Sequence, residues 1–287
     1  MKKEVFCPGK INLFLEVLDK RPNGYHNLST LFQAISYGDT LSASPSSSLS
    51  LKGGEGLTDH PEDNLIIKAA LKIKEKYHIS QGILFEIQKN LPVGAGLGGG
   101  SSNAAGAIRL CNEIWKLNKP LDDYMEIATQ LGADVPFFLK GGTQFASGIG
   151  EILEKAPSPH PFSVLIATPH CFVNTSEAYR LLPPYQKNLS YDFKADYQKN
   201  HPLLKFSQNL KNDFEAPVLT QFPQIKRLWD SILTFNPEKV MLSGSGASLF
   251  ALFNHTAEAT RCQEAITDQC RFQTVCQFLP AKNHPKD

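Results

Sequence analysis

Between residues 91 and 107 the chain reads LPVGAGLGGGSSNAAGA, with Gly94, Gly96, Gly98, Gly99 and Gly100 crowded ahead of Ser101, Ser102 and a run of small residues. Glycine loses more backbone entropy on ordering than any other residue, so this density needs a use for backbone that no side chain crowds. An anion cradle is such a use. Backbone N–H groups could approach phosphate oxygens closely, and the dipole of the helix that follows favours negative charge. The serines could cap that helix or lend hydroxyls. A tight strand-to-helix turn packed on a neighbour is the competing structural role.

Two familiar phosphate loops do not fit. Gly94, Gly96 and Gly99 satisfy G-x-G-x-x-G, but the acidic residue expected about 20 positions on would be Glu113, which falls inside the helical pattern CNEIWKL. Gly94 and Gly99 also have the P-loop separation, yet Gly100 stands where that loop needs its lysine.

The elements that must carry this loop can be read from periodicity. INLFLEVL is a buried strand and PNG (22–24) the turn after it. Further strands follow in LSTLFQAISYGDTLSASPSSSLSLKG, separated at Gly38-Asp39 and by a Ser/Pro stretch. DNLIIKAALKIKEKYH changes to helical period, with Leu65, Ile66, Ala69, Ala70 and Ile73 on one face and Asp63 or Asn64 as cap. GILFEIQKN is a strand, and helices are expected over 101–117 and 121–131. Pro136 makes ADVPFF an extended segment. GGTQFASGIGEIL reads as a hairpin, and KAPSPHP (155–161) as a boundary between domains 1–157 and 158–287. SVLIATP is a strand, TSEAYRLL a short helix and FEAPVLTQFPQIKRLWDSIL a helical region with two prolines. KVMLSGSGASLFALF is strand, glycine turn, strand; a helix (TAEATRCQEAITDQC) and a strand (FQTVCQFL) follow. The order is α+β, without the regular alternation of a doubly wound sheet.

The chain has 287 residues and a formal net charge of +1, which gives no broad electrostatic footprint for nucleic acid or an anionic membrane. The six cysteines form no CxxC pair and have no zinc spacing with the histidines, so they are read as reduced thiols of a cytoplasmic protein. The basic, apolar N-terminus is interrupted by Pro8, Gly9 and Lys10, which argues against a signal peptide.

PVGAGLGGGSSNAA resembles the central motif of the GHMP kinases. PGKINLFLEVLDKRPNGYH, DNLIIKAA, LGADVPFFLKGG, ASGIGEIL and MLSGSGASLF match further segments of the family in order, from about residue 5 to 253. Gly9, Asn23 and Ala247 depart from the usual Ala, Asp and Ser, and none of these changes removes a catalytic group. The resemblance implies a two-domain fold, ribosomal-protein-S5-like in the N-terminal half and ferredoxin-like in the C-terminal half, with the active site in the cleft. It implies transfer of the γ-phosphoryl of ATP, with Mg²⁺, to a small alcohol. The N-terminal motif points to the branch whose acceptor is the 2-hydroxyl of diphosphocytidyl methylerythritol. Homoserine- or mevalonate-type kinases are the alternative, and a non-catalytic nucleic-acid-binding S5-like protein is disfavoured by the charge.

By resemblance, Asp134 is the catalytic base and Lys10 its partner, polarising the acceptor hydroxyl. Taken alone, Asp134 could be a turn residue and Lys10 a strand-end lysine. Pro92, Gly94, Gly96, Leu97, Gly98, Gly99, Gly100, Ser101 and Ser102 would surround the ATP phosphates. Asn64 would contact adenosine or serve only as a helix cap. Asn12 would touch the acceptor, Tyr25 would stack on the cytosine, and His26 would read its edge. Tyr179 would face Tyr25 and Thr175 would contact the nucleotide. Gly244 and Gly246 would close on the substrate in SGSGAS (243–248), unless that segment is only a hairpin turn. The metal ligands stay open, and a monomer or weak homodimer is expected.

Overall fold

The apolar runs near the N-terminus become two long strands, β1 (Lys3–Lys20) and β2 (His26–Ser46), which pair with each other. The expected turn lies between them, with Gly24 N–H donating to the Arg21 carbonyl and Arg21 N–H to that of Tyr25. A computed structural model describes residues 1–56, 58, 60–183, 192–200 and 209–281. The chain divides into two interleaved units. The first holds Met1–Gly9, Tyr37–Val93 and Gly98–Lys140; the second holds Lys10–Ser36, Gly94–Leu97 and Gly141–Asp287. β1 and β2 therefore contribute to both, and KAPSPHP falls inside the second.

The first unit contains β3 (Ser50–Lys52), α1 (Leu65–Tyr77), β4 (Gly82–Gln88), α2 (Gly99–Ile114), α3 (Met125–Leu131) and α4 (Val135–Lys140). The C-terminal half of β2 pairs antiparallel with β4, from Thr40 opposite Gln88 to Ser46 opposite Gly82, and β3 pairs parallel with β4. α1 buries Ile66, Ile67, Ala69, Ala70 and Ile73 and packs on α2, which in turn packs on α3 and α4. Glu113 lies within α2.

Two expectations are corrected here. Gly38-Asp39 does not separate strands but lies inside β2. A Cβ at Gly38 would fall 2.2 Å from the Cys7 carbonyl oxygen, and Asp39 is fully buried on backbone donors, so sheet contacts override turn propensity. The segment around Pro136 is helical rather than extended. Pro136 occupies the second position of α4, where a missing N–H costs no intrahelical bond and a fixed φ suits the first turn.

The second unit continues with β5 (Thr143–Ser147), β6 (Ile152–Lys155), β7 (Ser163–Pro169), α5 (Thr175–Leu181), α6 (Phe193–Asn200), α7 (Glu215–Gln221), α8 (Pro223–Leu233), β8 (Lys239–Leu242), β9 (Leu249–Phe253), α9 (Thr256–Ala265) and β10 (Cys270–Gln277). The N-terminal half of β2 pairs antiparallel with β5, which forms the expected hairpin with β6. A separate antiparallel sheet has the order β10-β7-β9-β8, and α8 and α9 pack on it. β9 is buried at every position because sheet neighbours and helix cover it, at roughly 1.5–3 kcal/mol for each large side chain. Pro223 opens α8, whose Ile225, Leu228 and Ile232 face this core with Val240, Leu249 and Ala251. α6 carries no strong sequence signal. It is anchored by Phe193, whose ring stacks on Phe14 at 3.8 Å, and by buried Tyr197.

Candidate active site

In the first unit the chemistry gathers at the start of α2. Gly98 is the residue before the helix, in left-handed conformation (φ 71°), and Gly99 and Gly100 open the first turn. Ser102 is buried, and its hydroxyl has no hydrogen-bond partner among the described residues. A buried hydroxyl left unsatisfied costs about 1–3 kcal/mol, so its position at a helix N-terminus suits an oxygen or cation supplied by a ligand. Ser101 Oγ lies 3.8 Å from where a Cβ on Gly132 would stand. Asp134 immediately precedes α4 and is partly exposed.

Beneath this turn lies a network that sequence reading missed. Asp39 Oδ1 accepts the backbone N–H groups of Asn90 and Leu91, both at 2.8 Å. Asp39 Oδ2 accepts from Asn103 Nδ2 at 2.8 Å and from Lys89 Nζ, which also donates to Asn103 Oδ1 at 3.1 Å. The carboxylate thus ties the approach to the glycine loop to the N-terminal end of α2. The Lys89 ammonium lies 3.3 Å from where a Cβ of Gly99 would be. Burial pushes the nearby Cys7 thiol up to about 12, partly opposed by a hydrogen bond with Asn103. The only sequence signal was Asp39 within an apolar run, which turn propensity disguised. Asn64 caps α1, its Oδ1 accepting from Ile66 N–H at 3.0 Å, which is the capping alternative raised by the sequence.

The second unit gathers the remainder of the loop around Lys10. Lys10 N–H donates to the Leu97 carbonyl at 2.9 Å, and Ser248 N–H to that of Ala95 at 3.3 Å. Ser243 Oγ donates to the Gly96 carbonyl at 3.0 Å. Gly96 is required there twice over. Its φ is +78°, and a Cβ would stand 2.1 Å from the Ser243 carbonyl oxygen. Lys10 Nζ donates to Asn12 Oδ1 at 2.8 Å, Asn12 Nδ2 to Thr30 Oγ1 at 2.9 Å, and Thr30 Oγ1 to the Phe14 carbonyl at 2.6 Å. The lysine is buried over the Phe32 ring. That relay fixes the ammonium, and the 243–248 turn adjoins it. Positions that a Cβ would take on Gly244 lie 3.6 Å from Lys10 Nζ and 3.7 Å from Asn12 Oδ1. Gly246 (φ 96°) lies against Leu242 and Val173.

Also in the second unit, Thr175 Oγ1 and Ser245 Oγ are 3.1 Å apart. His26 stacks flat on Tyr179 (centroids 4.6 Å, interplanar 12°), and Tyr179 meets Phe214 edge-on at 5.0 Å. Tyr25 is exposed, on a turn where Asn23 Oδ1 accepts its N–H at 3.2 Å, a role the usual aspartate could also fill. Burial, aided by the Lys20 charge and opposed by Asp19, lowers the His26 pKa and favours neutral imidazole. Lys10, Asn12, Gly96, Leu97, Gly244 and Gly246 thus meet in the second unit, as do His26 and Tyr179, and Gly94, Tyr25 and Thr175 lie in the same unit. Asn64, Pro92, Gly98 to Ser102 and Asp134 belong to the first.

The family model described as GHMP kinases N terminal domain matches residues 64–142, and that described as GHMP kinases C terminal matches 192–271. A 4-diphosphocytidyl-2-C-methyl-D-erythritol kinase of Exiguobacterium sibiricum is 35% identical, over 98% of this chain and 99% of the relative. One from Paraburkholderia phymatum is 38% identical, over 90% and 87%. The chain belongs to the GHMP kinases, among the 4-diphosphocytidyl-2-C-methyl-D-erythritol kinases. Like other members of this kinase family it is a phosphotransferase acting on an alcohol group. A crystal structure of 4-(cytidine 5'-diphospho)-2C-methyl-D-erythritol kinase superposes with TM-score 0.80 at 31% identity, covering 96% of this chain and 99% of that one. A homoserine kinase structure from Cytophaga hutchinsonii, at 20% identity and TM-score 0.75 (98% and 95% covered), shares the fold.

Proposed function

We propose that this kinase transfers the γ-phosphoryl group of ATP to the 2-hydroxyl of 4-diphosphocytidyl-2-C-methyl-D-erythritol, the alcohol in its relatives' name. The observation that supports the phosphate reading best is the buried, unpartnered Ser102 hydroxyl in the glycine-rich first turn of α2. Pro92, Gly94 and Gly96 through Ser102 would line the triphosphate, and Asn64 would stand beside the nucleoside while capping α1. In this reading the acceptor oxygen attacks the γ-phosphorus, the bond from that phosphorus to the β,γ-bridging oxygen breaks, and ADP leaves. The hydroxyl proton passes to the Asp134 carboxylate. Lys10, held by Asn12, lends positive charge to the acceptor oxygen as it approaches.

Among the described residues no group of three or more His, Cys, Asp or Glu could hold a metal ion. The Ser102 hydroxyl fits Mg²⁺ that arrives with ATP, an ion that usually rests on phosphate oxygens, water and one or two protein oxygens. The ion would neutralise charge on the transferred phosphate. Tyr25, exposed on its turn, and neutral His26 offer a ring face and an uncharged edge to cytosine, and Tyr179 and Thr175 complete that side. No helix among the described residues is long and apolar enough to cross a membrane, and we propose a cytoplasmic enzyme.

ATP consumption measured with diphosphocytidyl methylerythritol, homoserine, mevalonate and galactose tests the acceptor. Turnover is expected with the first alone, and turnover confined to one of the others would overturn it. Asp134→Asn is expected to lower kcat by roughly 100-fold or more while nucleotide still binds, from the usual scale of acid–base catalysis. Near-parental kcat would remove Asp134 from the mechanism.

A further inference from the structure

The 243–248 turn and the end of β8 are held in the second unit by Asn212 and Glu215, in a segment outside the residues assigned so far. Asn212 is buried and uses its whole side chain. Its Nδ2 donates to the Leu242 carbonyl at 2.8 Å and to the Gly244 carbonyl at 2.7 Å, and its Oδ1 accepts from Phe214 N–H at 3.0 Å. Glu215 Oε1 accepts from Leu242 N–H at 3.1 Å, so the strand end is gripped at both its donor and its acceptor.

The other side of the segment is stitched to β1. Leu15 N–H donates to the Lys211 carbonyl at 2.9 Å, and Asp213 N–H to the Leu15 carbonyl at 3.0 Å. Val17 N–H donates to Asp213 Oδ2 at 2.8 Å. The same strand carries Lys10 and Asn12, against which Gly244 lies.

We infer that Asn212 is a positioning residue for phosphoryl transfer: its side-chain amide fixes the Leu242–Gly244 backbone against the strand that presents Lys10 and Asn12. This rests on the roles proposed above for Lys10, Asn12 and Gly244. The chemistry of the residue is specific. Two carbonyl oxygens converge on one side chain, and only a primary amide brings two hydrogens on a single short arm while accepting an N–H at its oxygen. An aspartate would have the same shape but would face both carbonyls with oxygen. A serine would be smaller but would keep one donor.

That contrast supplies the test. Asn212→Asp and Asn212→Ser are purified, their folding is checked by circular dichroism and cooperative melting, and kinetics are measured well below both midpoints. If Asn212 acted only by filling space, the isosteric aspartate would be the milder change. Positioning through the donors predicts the reverse: kcat/KM for the acceptor falls by about 100-fold in Asn212→Asp and about 10-fold in Asn212→Ser, the range expected for small misplacements of reacting groups. The inference is overturned by the opposite order, by both variants staying within about threefold of the parent, a change too small for misplacement, or by neither variant folding. Lys10→Met, assayed alongside, separates the two layers. Parental turnover in that variant would sink the catalytic reading itself. Its inactivity beside near-normal Asn212 variants would sink the positioning role alone.

Discussion

Asp39 in the first unit and Asn212 in the second each hold backbone beside a glycine turn, with opposite hydrogen-bond polarity. At Asp39 the groups to be fixed include the N–H groups of Asn90 and Leu91, so a carboxylate accepts them and Lys89 and Asn103 satisfy its other oxygen. At Asn212 the groups are the carbonyls of Leu242 and Gly244, so an amide donates to them and no cation is needed. The residue type follows from which end of the peptide bond faces inward. The difference also sets what loss should cost, because losing the charged node strands an ammonium as well as polar groups, whereas losing the neutral one strands polar groups alone.

The sharpest way to break this comparison is Asp39→Ala, which leaves the Lys89 ammonium without its counter-charge and the Asn90 N–H, Leu91 N–H and Asn103 amide without their acceptor. Breaking a buried pair costs about 3–5 kcal/mol, so its denaturant midpoint should fall further than in any other variant here. A loss below about 1 kcal/mol, the scale of a surface pair, would show that the network is not a charged node.

A smaller effect is expected at Glu215, whose pKa burial raises to about 7, against the Leu242 N–H bond and the Lys239 charge. An ordinary glutamate titrates near 4.3. Between those values the folded chain keeps a proton that the unfolded chain has released, so stability falls as pH rises through the window and remains lower above it. Melting curves from pH 5 to 8 should therefore show the parent losing more than Glu215→Gln, which keeps the acceptor for Leu242. Parallel curves would show that Glu215 is not protonated in the fold.

The smallest effect on stability should come from Asn64→Ala, which removes a helix cap and should cost about 1 kcal/mol in chemical denaturation. If the KM for ATP rises with unchanged stability, Asn64 is a ligand contact more than a cap.

Much of this was legible because it is local. Glycine density announced the loop, period changes announced α1 and α2, and turn residues announced the β5–β6 hairpin. What escaped was decided by distant chain. Gly38-Asp39 looks like a turn until Asn90 and Leu91 are brought to its carboxylate. Pro136 breaks helices in their interiors, yet its place in the first turn of α4 is one a proline tolerates. Asn212 gives no periodic signal because its partners lie at Leu242 and Gly244 and on β1. The aromatic candidates came from motif resemblance, and pattern alone could not foresee His26 lying flat on Tyr179.

The interleaving of the two units bears on how this enzyme can be taken apart. Its six segments are joined by five crossings, one of them at the Leu97–Gly98 peptide inside the glycine loop itself. No single cut releases either unit as a continuous fragment, and the stretch matched by the N-terminal family model, 64–142, contains neither one whole. Domain exchange with another kinase, or reassembly from two expressed pieces, would have to move several strands together. The loop that looks most like a portable cassette in the sequence is therefore among the least transferable parts of the molecule.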